Sequence, residues 1–268
     1  EARDALKPRH EDVLFLRSTT SNYNVLKPET LKLDVETNLC HLLDVLPNVR
    51  GTFNFISSFF VYGFGAPRYD GTDQFEPWVA HEDDWCAPTG MYSITKRAAE
   101  QVLQSYCATV GAGLIQGPSS YRILRLCNVI GNDPRAGKQK NALEYMLRKV
   151  ARGEDIEVYE GDNYRNFLHV DDICRGIHLC ITKGAPNTIY NIGAPRSVRM
   201  IDLMEHAKAV RAGKKKGGNP LEGDTDWGAI NAVYNDLYTA IARFPGHVHM
   251  TAQWKQLGDR DKIGRAHV

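Results

Sequence analysis

Tyr92 and Lys96 stand four residues apart in the run M-Y-S-I-T-K-R-A-A-E. On a helix, that spacing puts both side chains on one face. A free tyrosine has a pKa of about 10 and is a poor base at neutral pH. A neighbouring ammonium favours the phenolate and lowers that value, so the pair could exchange a proton with a substrate hydroxyl. In a chain with 12 tyrosines, Y-x-x-x-K alone carries little weight. Its context adds more. Upstream, Ser57-Ser58 closes a β-rich run at 52–57. A hydroxyl at the C-terminal end of a strand sits where open α/β sheets bind ligands.

The elements that must position these groups alternate in type. Apolar patterning predicts strands at 12–16, 52–57, 121–129, 156–159 and 188–192. It predicts helices at 31–46, 92–110, 141–152 and 200–210, and one capped by Asp171 or Asp172 and ending near Thr182. The stretch 63–88 reads as a charged, turn-rich surface loop. The stretch 213–218 (G-K-K-K-G-G) reads as a flexible basic loop, because no aromatics interleave its lysines. Strands alternating with helices imply βαβ units, a parallel sheet and, with right-handed crossovers, a doubly wound α/β fold.

Seven segments in order resemble the extended short-chain dehydrogenase/reductase family, the NAD-dependent nucleotide-sugar epimerases and dehydratases. They are D-V-L-F-L from Asp12, E-T-N (36–38), S-S-x-x-V-Y-G from Ser57, the Tyr92 run, L-R-L-x-N-V-I-G from Leu124, R-N-F-L-H-V-D-D from Arg165 and Y-N-I-G from Tyr190. The resemblance implies a Rossmann-type sheet, NAD as cofactor and a nucleotide sugar as substrate. It implies that Tyr92 is the catalytic base and acid, that Lys96 is its partner and a ligand of the nicotinamide ribose, and that Ser58 hydrogen-bonds the reacting oxygen. Ser18, Thr19, Thr37 and Ser57 match positions lining the dinucleotide. Asn128 and Asn141 match contacts to the sugar nucleotide, and Arg165 matches an arginine that binds its diphosphate, for which a forked guanidinium is suited. His169 reads as a packed structural histidine. Members of the family often dimerise through a four-helix bundle that would include the Tyr92 helix, so a homodimer is expected.

The chain also departs from the family. It lacks the opening strand, G-x-x-G-x-x-G and helix whose N-terminus receives the pyrophosphate. The nearest candidate, G-A-G-L-I-Q-G from Gly111, follows a helix and precedes a strand, the reverse of what phosphate binding requires. The first βαβ portion is therefore expected to be missing. The chain begins with Glu1, and its last six residues, I-G-R-A-H-V, are what one frame of a common sequencing adapter would encode. It reads as a translated fragment that is inactive as it stands. Arg17 stands where the family usually has a small residue. Family dehydratases resemble T-D-E beside the serine, whereas here Ser58 is followed by Phe59 and Phe60. That favours oxidation and re-reduction at one carbon, as in an epimerase. The alternatives are a dehydratase, decarboxylase or ketoreductase, or a non-catalytic dinucleotide-binding sensor or scaffold. The expected domains are a partial NAD-binding Rossmann domain at 1–131, with 167–192 returning to it, and a substrate lobe with a poorly defined tail at 132–166 and 193–268.

Composition sets the remaining bounds. The 268 residues carry 33 Lys+Arg against 32 Asp+Glu, a net charge of +1, which gives no electrostatic reason to expect nucleic acid or an anionic membrane as partner. No apolar run nears the roughly 18 residues of a membrane helix. Six scattered cysteines without C-x-x-C argue against zinc knuckles and a disulfide scaffold, so no metal is expected and the chain fits the reducing cytoplasm.

Overall fold

The computed structural model describes residues 12–19, 27–63, 80–131, 142–158, 164–195 and 197–214. In chain order the strands are β1 (Val13–Phe15), β2 (Thr52–Ser58), β3 (Ser120–Leu126), β4 (Asn128–Ile130), β5 (Tyr164–Arg165), β6 (Phe167–His169), β7 (Thr188–Ile192) and β8 (Val198–Arg199). The helices are α1 (Leu31–Val35), α2 (His41–Val45), α3 (Met91–Gly111), α4 (Ala142–Arg152), α5 (Val170–Lys183) and α6 (Met200–Lys214). The described chain divides into two compact units. One runs to Cys127 and includes Ile173–Ile192; the other comprises Asn128–Asp172 and the residues from Gly193 on.

The first unit is a parallel sheet in the order β1-β2-β3-β7. Alternation along β2 sends Phe53 and Phe55 to one face, where both are fully buried. Phe15 joins them, its ring 5.6 Å from that of Phe53. Leu42, Leu46, Ala99, Leu103 and Cys107 close this core from the helical side. The opposite face of the sheet meets α5 so closely that a Cβ on Gly176 would lie 2.9 Å from Ile192 Cγ2. Helices therefore cover both faces of a parallel sheet, the doubly wound Rossmann-type arrangement. At β1, Leu14 and Leu16 are exposed.

Between β1 and β2, the helix expected at 31–46 is present but not uniform. It is entered through a 3₁₀ turn (Pro28–Thr30), opens into a π turn at Glu36–Cys40 and closes in a second 3₁₀ turn (Leu46–Asn48). The wide turn holds Asn38, whose amide hydrogen-bonds outside its own helix. Such π turns are frequent at functional sites.

In the second unit, α4 and α6 pack on one another. Leu143, Leu147 and Val150 from α4 meet Met200, Leu203, Met204 and Ala207 from α6, each set at helical spacing. β4 pairs with β6 in parallel, and β5 with β8 antiparallel.

Several expectations need correcting. The strand expected at 121–129 is two strands. Cys127 N donates to Ile192 O, and the next amide, Asn128 N, donates to Asn166 O, so the backbone changes partner at that point. Residues 156–158 form no strand, since Ile156 and Val158 bury against the α4/α6 core without a ladder partner. Asp171 and Asp172 lie inside the first turn of α5 rather than at its cap. His169 takes the capping role, its Nδ1 accepting from Asp171 N at 3.3 Å. Within the expected surface loop 63–88, residues 64–79 lie outside the described residues, while 80–84 bond inward. Of the basic stretch 213–218, Gly213 and Lys214 end α6 and the rest lies outside the described residues. Among the described residues no helix is long and apolar enough to cross a membrane.

Candidate active site

The C-terminal end of β2 is capped by its own last residue. Ser58 leaves the strand in extended conformation, and its Oγ accepts from Phe60 N at 3.3 Å, starting the 3₁₀ turn Phe59–Tyr62. The Phe59 and Phe60 rings lie with centroids 4.1 Å apart, tilted by 35°. The turn exits through Gly63 at φ +93°, where a Cβ would lie 2.4 Å from Ala87 O, so glycine is required there.

α3 brings the second part of the site. Its first turn is closed by Ser93, whose Oγ accepts from Gly90 N at 3.2 Å and donates to Gly90 O at 2.8 Å. The Tyr92 hydroxyl is hydrogen-bonded to both Ser58 and Ser18. Burial pushes the Tyr92 pKa up, and those two hydrogen bonds pull it back down. Lys96, on the same face, is almost fully buried at 1% exposure. Its Nζ donates to Ile56 O at 2.8 Å and lies 4.7 Å from the centroid of the Phe55 ring. Burial lowers its pKa to about 8, with the carboxylate of Glu100 working the other way. The expected lowering of Tyr92 by the Lys96 ammonium is therefore not what governs Tyr92 here. Lys96 is turned onto the β2 backbone, and desolvation dominates at the phenol.

Asn38, quoted within E-T-N but given no role from sequence, organises the neighbourhood. Its Oδ1 accepts from Ser18 Oγ (3.1 Å) and Thr19 N (2.8 Å), and its Nδ2 donates to Thr19 O (3.2 Å) and Thr95 Oγ1 (3.0 Å). Thr95 Oγ1 donates back to the carbonyls of Met91 and Tyr92. One buried amide thus ties the segment after β1 to the helix that carries Tyr92. Thr37 is buried beside it in the π turn.

The other sequence-chosen residues are placed differently. Ser57 Oγ donates to Glu100 Oε1 at 2.5 Å, so its hydroxyl points to a buried carboxylate and not to Tyr92. In the second unit, Asn128 Nδ2 donates to Asn166 O at 2.9 Å. Arg165 is half-buried in β5, opposite Val198. Asn141 lies outside the described residues. Sequence reasoning also missed the Glu100–Arg125 pair. The available signal was a glutamate at i+4 from Lys96, on the stripe that continues into Ala99 and Leu103.

Hydroxyls from Ser18, Ser58 and Tyr92 and the Lys96 ammonium gather at the C-terminal ends of parallel strands, where open α/β sheets bind ligands. These groups suit ribose and sugar hydroxyls, so the nicotinamide end of a dinucleotide fits them. The stretch from Gly111 to Gly117 lies between the end of α3 and the start of β3, and no glycine-rich cradle for a pyrophosphate is found among the described residues.

The family described as NAD dependent epimerase/dehydratase matches residues 14–193. The low-salt glycan biosynthesis protein Agl12 of Haloferax volcanii is 32% identical over 125 residues, 46% of this chain and 37% of that protein. A dTDP-glucose 4,6-dehydratase of Haemophilus influenzae is 28% identical over 226 residues, 84% of this chain and 58% of that protein. This chain therefore spans less than two thirds of either relative. The solved UDP-glucose 4-epimerase of Thermotoga maritima, with UDP-glucose, superposes with a TM-score of 0.59 at 21% identity, covering 85% of this chain and 70% of that one.

Proposed function

This chain belongs to the NAD dependent epimerase/dehydratase family, and from that premise we propose that it oxidises and re-reduces one hydroxyl-bearing carbon of a nucleotide sugar, as an epimerase does. The observation that carries the reading is the Tyr92 hydroxyl held between Ser58 and Ser18, with Lys96 one turn further along the same helix. Tyr92, Lys96 and the hydroxyls around them would hold the nicotinamide end of NAD, which would supply hydride chemistry to the sugar carbon. Tyr92 takes the proton of the sugar hydroxyl as the carbonyl forms and gives it back on reduction. Ser58 donates to the reacting oxygen. Lys96 would hold the ribose hydroxyls of the nicotinamide end and favour the phenolate of Tyr92.

Phe59 and Phe60 beside Ser58 offer no carboxylate to expel water from the sugar. This favours epimerisation over the 4,6-dehydration named for the Haemophilus relative. The second unit serves as the substrate lobe, with Asn128, Asn141 and Arg165 on the nucleotide and its diphosphate. Ser18, Thr19 and Thr37 line the dinucleotide, and Ser57 lies at the same edge with its hydroxyl held by Glu100. A homodimer in the cytoplasm is part of the same proposal.

The test is NADH fluorescence titration followed by turnover of UDP-glucose and dTDP-glucose with NAD. Both are run on this chain. Tyr92→Phe should keep NADH binding and lose about 10²- to 10⁴-fold in turnover. Wild-type turnover by Tyr92→Phe would overturn the catalytic assignment, and a 4-keto-6-deoxy product would replace the epimerase by the dehydratase.

A further inference from the structure

Glu100 stands one turn beyond Lys96 on α3 and is fully buried. Four donors meet its carboxylate. Oε1 accepts from Ser57 Oγ (2.5 Å) and Arg125 Nε (3.0 Å), and Oε2 from Arg125 Nη2 (2.8 Å) and Arg97 Nη1 (2.8 Å). Arg125, at 1% exposure, extends the network. Its Nη1 donates to Tyr62 Oη (2.7 Å) and Glu82 O (3.1 Å), and its guanidinium carbon lies 4.7 Å from the Tyr62 ring centroid. Tyr62 Oη donates to Asn191 Oδ1 (2.8 Å), and Asn191 N donates to Glu82 Oε1 (2.8 Å).

An ion pair buried this deeply is weak evidence for stability, because desolvation offsets the attraction and well-packed apolar residues often serve as well. Its location suggests another role. The pair joins α3 to the last residues of β2 and β3, and through Tyr62 and Asn191 to β7 and to the segment at 80–84. These are the elements that end at the site. Ser57 on β2 is covalently next to Ser58, and Glu100 on α3 lies one turn from Lys96 and two from Tyr92.

We infer that Glu100 and Arg125 are positioning residues for the Ser58–Tyr92–Lys96 set. The pair fixes the height of α3 against the strand ends and keeps a carboxylate one helical turn from the Lys96 ammonium. The inference rests on that set being the reacting one. Arg125 grips both oxygens of Glu100, which sets distance and orientation together. Lys96 needs such support, because β2 offers it a carbonyl and a phenyl ring but no charge. The charge that bears on Lys96 is that of Glu100 on its own helix and, through Glu100, those of Arg97 and Arg125. Burial acts against the ammonium, and Glu100 acts for it.

The test titrates Lys96 by NMR in the ¹³C-lysine-labelled chain, with its signal identified by loss in Lys96→Arg. Glu100→Gln keeps the shape and removes the charge, so the Lys96 midpoint should fall by about one unit. Arg97→Ala removes a cation from the exposed side of Glu100, so the midpoint should rise by a few tenths of a unit. A pair that only stabilised the fold would lower the unfolding midpoint and leave Lys96 titrating as before. An unmoved midpoint in Glu100→Gln, or a fall in Arg97→Ala, overturns the inference. If Glu100→Gln does not fold, Arg97→Ala decides alone, its side chain being 26% exposed. The turnover assay with UDP-glucose separates the two readings. Glu100→Gln should lower kcat about tenfold at unchanged KM. Full turnover by Tyr92→Phe refutes the site itself, whereas loss of turnover there with an unmoved Lys96 refutes the positioning role alone.

Discussion

Lys96→Met removes one ammonium and keeps most of the stem that lies over the Phe55 ring. In the folded chain burial lowers Lys96 from 10.5 to about 8, and unfolding restores the ordinary value. Each pKa unit corresponds to about 1.4 kcal/mol, so at low pH the folded state carries a penalty of about 3 kcal/mol from this group. Exposure of 1% leaves little solvent to screen it. Below pH 8 both states are protonated and the penalty is complete. Between 8 and 10.5 the folded chain has released a proton that the unfolded chain still holds, so stability rises with pH. From pH 7 to 9.5 the wild type should gain about 2 kcal/mol from Lys96. Lys96→Met should lack that gain. Burial raises the thiols of Cys86, Cys107 and Cys180 above 9.0, and these lower stability as pH rises, but equally in both proteins. Tyr92, raised above 10.0, begins to act only beyond this window. The measurement is urea unfolding followed by far-ultraviolet circular dichroism at pH 7, 8, 9 and 9.5. Wild-type stability minus that of Lys96→Met should climb across the window. A difference that stays level would mean that Lys96 is not a desolvated ammonium, and the reasoning would fail.

Three other substitutions probe the frame around the site. Gly63→Ala sets a Cβ 2.4 Å from Ala87 O at φ +93°, and should cost about 1–3 kcal/mol in urea unfolding; an unchanged midpoint would show that this turn relaxes freely. Asn38→Ala removes one hydrogen-bond partner each from Ser18, Thr19 and Thr95, and should cost about 1–3 kcal/mol while hydrogen exchange speeds at Thr19; unaltered exchange there would remove Asn38 from its organising role. Phe53→Ala empties the centre of the first core and should cost about 3–5 kcal/mol, with a loss under 1 kcal/mol contradicting the packing around Phe15 and Leu103.

What could be read from sequence follows how local its cause is. The strands at 52–57 and 188–192 and the helix at 92–110 were legible because alternation or helical spacing is strong over their whole length. Observed bounds differ by a residue at most. The break at Cys127 was not legible, because it arises when the backbone changes hydrogen-bond partner between two residues distant in sequence, Ile192 and Asn166. The π turn at Glu36–Cys40 was hidden for a similar reason, since it is set by the long-range bonds of Asn38 to Thr19 and Thr95. At the site, residue types and spacing named Ser58, Tyr92 and Lys96. They could not tell that Lys96 rests on Ile56 O, nor that the Ser57 hydroxyl belongs to Glu100.

One stripe of α3 explains why a buried polar cluster is tolerated here. Tyr92, Lys96 and Glu100 follow at intervals of four, and Ala99, Leu103 and Cys107 continue the same face into the core. The apolar lower part supplies burial energy, roughly 1.5–3 kcal/mol for Leu103 alone. Its fit against Phe53 and Phe55 fixes the rotation of the helix about its own axis. The polar upper part falls where the strands run out and their last carbonyls need donors, as Ile56 O shows. A slip of one turn would carry Leu103 out of the phenylalanine cluster and break the Glu100–Arg125 clasp at once. Core and clasp therefore enforce the same register from opposite ends of the stripe, and the proton-handling hydroxyl of Tyr92 is placed by both.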